Sequence, residues 1–112
     1  MSGEVVTKGI IGETVDDVNV SVTANTNISG FTFTTTLENG WIVIEVTPTS
    51  AAIFSVMRTV GTTTVKQKMN SGIALEAGGS YIWTISSKRG ETYNFQYSEN
   101  DTLLNLYIRE VA

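Results

Sequence analysis

The 112-residue chain contains no cysteine and no histidine, and Pro48 is its only proline. Without cysteine there is neither a disulfide framework nor a thiolate metal site. Without histidine the chain loses the usual general base, the commonest transition-metal ligand and the only side chain whose unperturbed titration falls near neutrality. Cations are also scarce: seven Lys and Arg face eleven Asp and Glu, for a net charge of -4 and a pI near 4.6. The seven are scattered, and a protein that grips phosphates clusters them, so no nucleic-acid partner is expected. The pairs Lys66/Lys68 and Lys88/Arg89 read as strand-face and turn charges. Long apolar runs are missing too. Stretches such as Trp41 to Ile44 fall far short of the roughly 20 residues needed to cross a bilayer, and no membrane partner is expected.

The opening "MSGEVVTKGI" has no basic stretch followed by an apolar one, so in this form it is not read as a secretory signal. The three Asn-x-Ser/Thr sequons, at Asn19, Asn27 and Asn100, carry little weight, because Thr- and Asn-rich strands create them by chance.

What the chain does have is Thr, Val and regular alternation. No window shows a clean helical apolar stripe, and Gly and Asn punctuate at short intervals. The pattern predicts strands at Val5–Lys8, Val18–Ala24, Phe31–Thr36, Trp41–Thr47, Ala52–Val60, Thr62–Met69, Tyr81–Ser86, Thr92–Tyr97 and Leu103–Val111. Asn39-Gly40 predicts a type I′ hairpin joining the Phe31 and Trp41 strands. Lys88-Arg89-Gly90 predicts a hairpin loop between the Trp83 and Phe95 strands, and Gly78-Gly79 a permissive bend. Pro48 should end the Trp41 strand or mark a switch of sheet, since it cannot donate to a ladder. Asp16-Asp17 and Asn25 to Gly30 read as loops.

Many short strands with frequent turns predict an all-β fold, a two-sheet antiparallel sandwich of Greek-key or jelly-roll type, with a closed β-barrel as the alternative. Residues 1–12 are expected to form an N-terminal arm or edge strand, and residues 13–112 a single sandwich domain. A compact chain of this length buries roughly two-thirds of its extended surface, enough for one core.

Side-chain parity predicts the core, because neighbours along a strand point to opposite faces. Inward positions are Val18, Val20 and Val22; Phe31 and Phe33; Ile42, Ile44 and Val46; Phe54 and Val56; Tyr81, Trp83 and Ile85; Tyr93 and Phe95; and Leu104, Leu106 and Ile108. Opposite them lie polar rows, Thr32, Thr34 and Thr36 in one and Asn94, Gln96 and Ser98 in another. Trp41, Val43, Ile53 and Met57 break the alternation, since they are apolar on the outward parity. Something should cover them, either the N-terminal segment or another subunit.

Signals for chemistry are weak. A pair of carboxylates, a Ser-Lys dyad or an oxygen-liganded metal would be the remaining routes. Glu45 is the acid that stands out within an apolar strand, and it falls on the outward parity. Ser98 to Thr102 and Val15 to Asn19 are rich in oxygen ligands but lack EF-hand spacing, and Asx turns account for them. Ser87-Lys88 sits in a turn. The glycines follow no phosphate-loop spacing. No cofactor, no metal and no enzymatic activity are expected.

The segment "NSGIALEAGGSYIWTISSKRGETYNFQYS", a Gly-rich turn leading into an aromatic strand and then Gly-x-x-Tyr-Asn-Phe-Gln-Tyr, together with the closing "LNLYIREV", resembles small β-sandwich virion proteins of tailed phages and related viruses. The likeness covers about half the chain, from about Ser50 onward. It implies a non-enzymatic structural protein of capsid decoration, head-fibre or tail-tip type. It further implies a symmetric homo-oligomer, with three copies favoured, and assembly in the host cytoplasm into the virion.

An acidic chain suits the outer shell better than a genome-facing position. The expected partner is a capsid or other virion protein. It would be contacted through Trp41, Val43, Ile53 and Met57 and through an arm containing Glu4, Val5 and Val6, with Asn94 and Gln96 as a possible hydrogen-bonding face. The rival reading is a carbohydrate-binding or adhesin-like module, in which Trp41, Tyr97 and Tyr107 would stack on sugar rings.

Overall fold

The computed structural model describes residues 11–112, with side chains at 20–101 and 104–112. The predicted strand Val5–Lys8 and the contacts assigned to Glu4, Val5 and Val6 lie outside the described residues. Among the described residues eight strands form: β1 (Ile11–Val22), β2 (Phe33–Thr34), β3 (Asn39–Thr47), β4 (Phe54–Val60), β5 (Thr63–Lys68), β6 (Tyr81–Lys88), β7 (Thr92–Tyr97) and β8 (Asp101–Val111). A 3-10 turn, Asn70–Gly72, follows β5. No helix among the described residues is long and apolar enough to cross a membrane.

The strands make two antiparallel four-stranded sheets, ordered β1-β8-β3-β6 and β2-β7-β4-β5. β1 therefore pairs with β8, β2 with β7, β3 with β6 and β4 with β5, as if one long hairpin with its tip at β4–β5 had been rolled up. This is the jelly-roll form of the two-sheet sandwich. The sheets stay separate and no closed barrel forms.

Parity accounts for the interior. Val20, Val22, Phe31, Phe33, Ile42, Ile44, Val46, Phe54, Val56, Tyr93, Phe95, Leu104, Leu106 and Ile108 are all buried in one cluster, while Tyr81, Trp83 and Ile85 pack against it and stay partly open. Phe54 joins the two layers: its ring stacks on Trp83 of the opposite sheet at 5.7 Å and on Phe95 of its own at 6.0 Å. Burying a large apolar side chain contributes about 1.5–3 kcal/mol, so this set is the main source of stability. Ile28 and Leu75 join the core from loops, where no periodicity announces them.

Four local expectations are corrected. Asn39-Gly40 is not a hairpin turn: both residues belong to β3, and β2 lies in the other sheet, paired with β7. Glycine is needed there for close approach, since a Cβ at Gly40 would stand 2.7 Å from the Val111 carbonyl oxygen on β8. Lys88-Arg89-Gly90 does turn the chain, with Gly90 at φ +90. It connects the two sheets, however, and does not close a hairpin, because β6 pairs with β3 and β7 with β4. Asp16 and Asp17 lie within β1, opposite Tyr107 and Leu106, and register shifts flank them. β2 is also only two residues long. Pro48 does mark a switch, directly after β3 and before the chain crosses to β4.

Candidate functional site

The two outer faces of the sandwich differ in chemistry. On the β1-β8-β3-β6 sheet, β3 places Trp41, Val43 and Glu45 outward. Their partners are Ser86, Thr84 and Ile82 on β6, and Val111, Arg109 and Tyr107 on β8. Trp41 is 48% exposed and Ile82 65%. Arg109 and Glu45 pair at 3.4 Å in the middle of this field, and the Arg109 guanidinium lies over the Tyr107 ring at 5.1 Å.

The outer face of the β2-β7-β4-β5 sheet is polar. Thr34 pairs with Thr92 at 3.1 Å and Thr59 with Thr64 at 2.8 Å, while Lys66 and Lys68 lie opposite Met57 and Ser55. Of the four outward apolar residues singled out from parity, Trp41 and Val43 therefore share one face. Met57, with Ile53 just ahead of β4, belongs to the other sheet, and the four do not form one patch.

Asn94 and Gln96 are engaged within the chain. The buried Asn94 donates from its amide to the Thr32 hydroxyl and accepts from the Phe95 N–H at 2.6 Å. Gln96 donates to Asn27 at 2.7 Å and accepts from Lys66 at 3.4 Å. The amide row of β7 thus holds the loop between β1 and β2 against the sheet. Backbone bonds from Asn25 to Tyr97 and from Ile28 to Phe95 run alongside.

The aromatic trio of the carbohydrate reading is not brought together. Trp41 and Tyr107 share an outer face, but Tyr97 is fully buried. Tyr97 follows the inward parity of Tyr93 and Phe95, which was the signal for its burial.

Two buried acids escaped sequence reasoning. Glu110, fully buried, accepts from the Thr36 N–H at 3.0 and 3.1 Å, the Thr36 hydroxyl at 3.2 Å and the Leu37 N–H at 2.9 Å. Asp101 accepts from the N–H groups of Thr49 and Ser50 at 2.8 and 3.0 Å and from both their hydroxyls. Glu110 continues the inward parity of Leu104, Leu106 and Ile108, which could have found it. In the same oxygen-rich run as Asp101, Asn100 accepts from the Ala24 N–H and Ser98 from the Ile53 N–H, both at 2.8 Å. No group of three acids able to hold a metal occurs among the described residues.

A cleft of about 320 Å³ opens where the ends of β3 and β6 face β4. Asn39, Gly40 and Trp41 line it from β3, Ser86, Ser87 and Lys88 from β6, and Arg58 and Glu91 complete it. Arg58 follows the inward parity of Phe54 and Val56 and crosses between the layers to donate to the Ser86 carbonyl at 3.0 Å. Its guanidinium also covers the Tyr93 ring at 5.5 Å. The Tyr93 hydroxyl donates to Glu91 at 2.8 Å. Burial, then the hydrogen bond to Glu91, hold that hydroxyl well above the ordinary tyrosine range, against a smaller opposing pull from Arg58. The neighbouring Arg89 is occupied elsewhere, on the Thr36 carbonyl at 3.2 Å and on Glu38 at 3.3 Å.

Comparison with protein-family models, with curated proteins and with solved structures finds no match to this chain.

Proposed function

We propose that this chain is a non-enzymatic structural protein of a virus particle, a capsid decoration or cement protein on the outer shell. In this reading it assembles with further copies of itself through the outer face of the β1-β8-β3-β6 sheet. The observation that carries the proposal is the contrast between the two outer faces: one gathers Trp41, Val43, Ile82, Tyr107 and Val111, the other sets Met57 among hydroxyls, amides and lysines. A contiguous apolar field on a small β domain is a protein-binding surface.

The occupant is a second copy because the field is self-complementary. Each copy presents Arg109 and Glu45 at its centre, so a symmetric contact pairs the cation of one with the anion of the next. The jelly-roll topology, common to capsid and lectin domains, is compatible with this by analogy of fold alone. The resemblance of the Asn70–Ser98 segment to phage virion proteins points the same way.

Sedimentation of the purified chain over a concentration series tests the assembly step. A closed oligomer is expected, and Trp41→Glu, which replaces an exposed aromatic surface of the contact with a charge, should yield monomers with unchanged strand content. A chain that stays monomeric at high concentration, or a Trp41→Glu variant that assembles as the parent does, overturns this reading.

A further inference from the structure

We infer that the cleft between β4 and the β3–β6 edge binds a carboxylate group, held by Arg58 and Ser87. Of the chain's three arginines, two are paired with acids, Arg89 with Glu38 and Arg109 with Glu45. Arg58 makes no ion pair among the described residues, and what it touches is neutral: the Ser86 carbonyl at 3.0 Å and the Tyr93 ring at 5.5 Å. Its Nε is buried without a hydrogen-bond partner. The Ser87 hydroxyl is in the same position, on a residue only 5% exposed, and both side chains line the cleft. A third such atom, Gln67 Oε1, lies on β5 outside the lining. Buried polar atoms are almost always paired. A guanidinium drawn into a cleft without a counter-ion costs free energy that an anion there would offset.

The chemistry of the lining selects the ligand class. Arg58 Nε–H can only donate and the Ser87 hydroxyl can donate, so a group shared between them accepts from both. The planar guanidinium fork suits the oxygens of a carboxylate or a phosphate. Charge separates these two: Arg58 and Lys88 against Glu91 leave the lining with a single net positive charge, which a carboxylate neutralises and a phosphate dianion exceeds. Glu91 is not itself the missing acceptor, because its Oε1 already takes the Lys88 N–H at 3.0 Å and the Tyr93 hydroxyl at 2.8 Å. A neutral hydroxyl would leave the cation uncompensated, and a metal ion would be repelled by it. At about 320 Å³ the cleft sits at the small end of ligand sites, the size for one acidic side chain or a small free acid. Trp41 stands on its rim and belongs also to the apolar field of the same sheet, so cleft and field adjoin.

Titration of the ¹⁵N-labelled full chain, followed by NMR, tests the site, with sodium acetate as the free carboxylate and the capped peptide acetyl-Gly-Glu-Gly-amide as the side-chain carboxylate. Acetamide, acetyl-Gly-Gln-Gly-amide and, at matched ionic strength, sodium chloride and sodium phosphate are the comparison arms. Both carboxylates should give a saturable shift at the amides of Asn39, Ser86, Ser87 and Lys88, and their neutral amides should not. Peptide binding about tenfold or more tighter than acetate assigns the carboxylate to a polypeptide, and equal binding assigns it to a free acid. Ser87→Ala should weaken the binding about tenfold, the loss expected when one hydrogen bond to a charged ligand is removed. The same variant should not lower the thermal midpoint, because its hydroxyl has no partner within the chain; a purely structural serine would lower it. Arg58→Lys keeps the charge without the fork and provides a second variant, with at least the same loss, should Ser87→Ala misfold. Each titration is run at the lowest and highest concentrations of the sedimentation series, so that a cleft covered by assembly, which binds only when dilute, is distinguished from the absence of a site. The proposal is overturned if neither carboxylate binds saturably at either concentration, if chloride, phosphate or a neutral amide binds as tightly, or if both variants bind as the parent does.

Discussion

The Glu110 carboxylate accepts the backbone N–H of Leu37 at 2.9 Å while also holding Thr36, so the end of β8 fastens the loop that carries the chain from β2 in one sheet to β3 in the other. Asp101, at the start of β8, does the same for Thr49 and Ser50 in the crossover from β3 to β4. Both crossovers that flank β3 are therefore latched to its neighbour β8 by buried carboxylates. Glu110→Ala leaves the Thr36 and Leu37 N–H groups without acceptors as well as opening space, and should cost about 3 kcal/mol or more. Glu110→Gln keeps one acceptor oxygen and should cost about 1–3 kcal/mol. Urea unfolding measures both, and a loss below about 1 kcal/mol for the alanine variant would show that the latch is not needed.

Gly40→Ala should destabilise through backbone collision. The added Cβ would lie 2.7 Å from the Val111 oxygen and 3.4 Å from Leu37 side-chain atoms, so the end of β8 has to shift to admit it. The expected loss is about 1–3 kcal/mol, read as a drop in thermal midpoint. The turn reading of Asn39-Gly40 makes a different prediction, that alanine would suffer because of positive φ. Gly40 is not among the positive-φ glycines of the described residues, which are Gly30, Gly61, Gly72, Gly78 and Gly90. A tolerated alanine with β3 still paired to β8 would refute the close-approach account.

Period-two alternation made most of the core readable: Phe31 and Phe33, the Ile42 to Val46 row and the Leu104 to Ile108 row are buried as parity requires. Connectivity was not readable, because a glycine that answers to a neighbouring strand looks in sequence like one that answers to a turn. That ambiguity produced the Asn39-Gly40 hairpin. Asp16 and Asp17 looked like a loop because charge signals exposure, yet a strand can carry charge outside its core-facing positions. Glu110 was passed over because an acid on the inward parity contradicts burial of charge unless donors meet it, and its donors lie 74 and 73 residues away in sequence. The cleft was illegible for the same reason: Gly40, Arg58 and Ser87 come from three strands, and only the rolled topology sets them on one side.

Alkaline pH should unfold the protein through its buried tyrosines. The Tyr97 ring is fully buried and its hydroxyl donates to the Ser50 carbonyl at 2.5 Å. Burial, reinforced by the negative charge of Asp101, raises its pKa from 10.0 to about 12. The folded chain then keeps a proton that the unfolded chain has released. The stabilising contribution is complete below the unfolded pKa of 10.0 and is lost as pH rises through about 12. Tyr93 moves in the same direction. Unfolding free energy should fall across this window, and Tyr97→Phe should flatten the fall while costing about 1 kcal/mol at neutral pH for the lost hydrogen bond. An unchanged alkaline slope in Tyr97→Phe, measured by urea titration at a series of pH values, would remove Tyr97 from the account.

Charge exchange at Arg109 and Glu45 offers the sharpest discrimination of the assembly face. Within one chain the pair is 3.4 Å apart, with both side chains about a third exposed. Its contribution to the stability of the isolated domain should therefore be about 0–1 kcal/mol. In a symmetric contact the same two groups become desolvated, and their pairing across copies decides whether copies accept one another. Glu45→Arg alone gathers only cations at the centre of the contact, and Arg109→Glu alone only anions. Either single variant should dissociate the oligomer with little change in thermal midpoint once monomeric. The double exchange, Glu45→Arg with Arg109→Glu, restores opposite signs and should restore assembly, whereas mixing the two single variants should give a hetero-oligomer that neither forms by itself. If the double exchange stays monomeric while the parent assembles, the contact lies on another surface of the sandwich, and the apolar field around Trp41 has a different occupant.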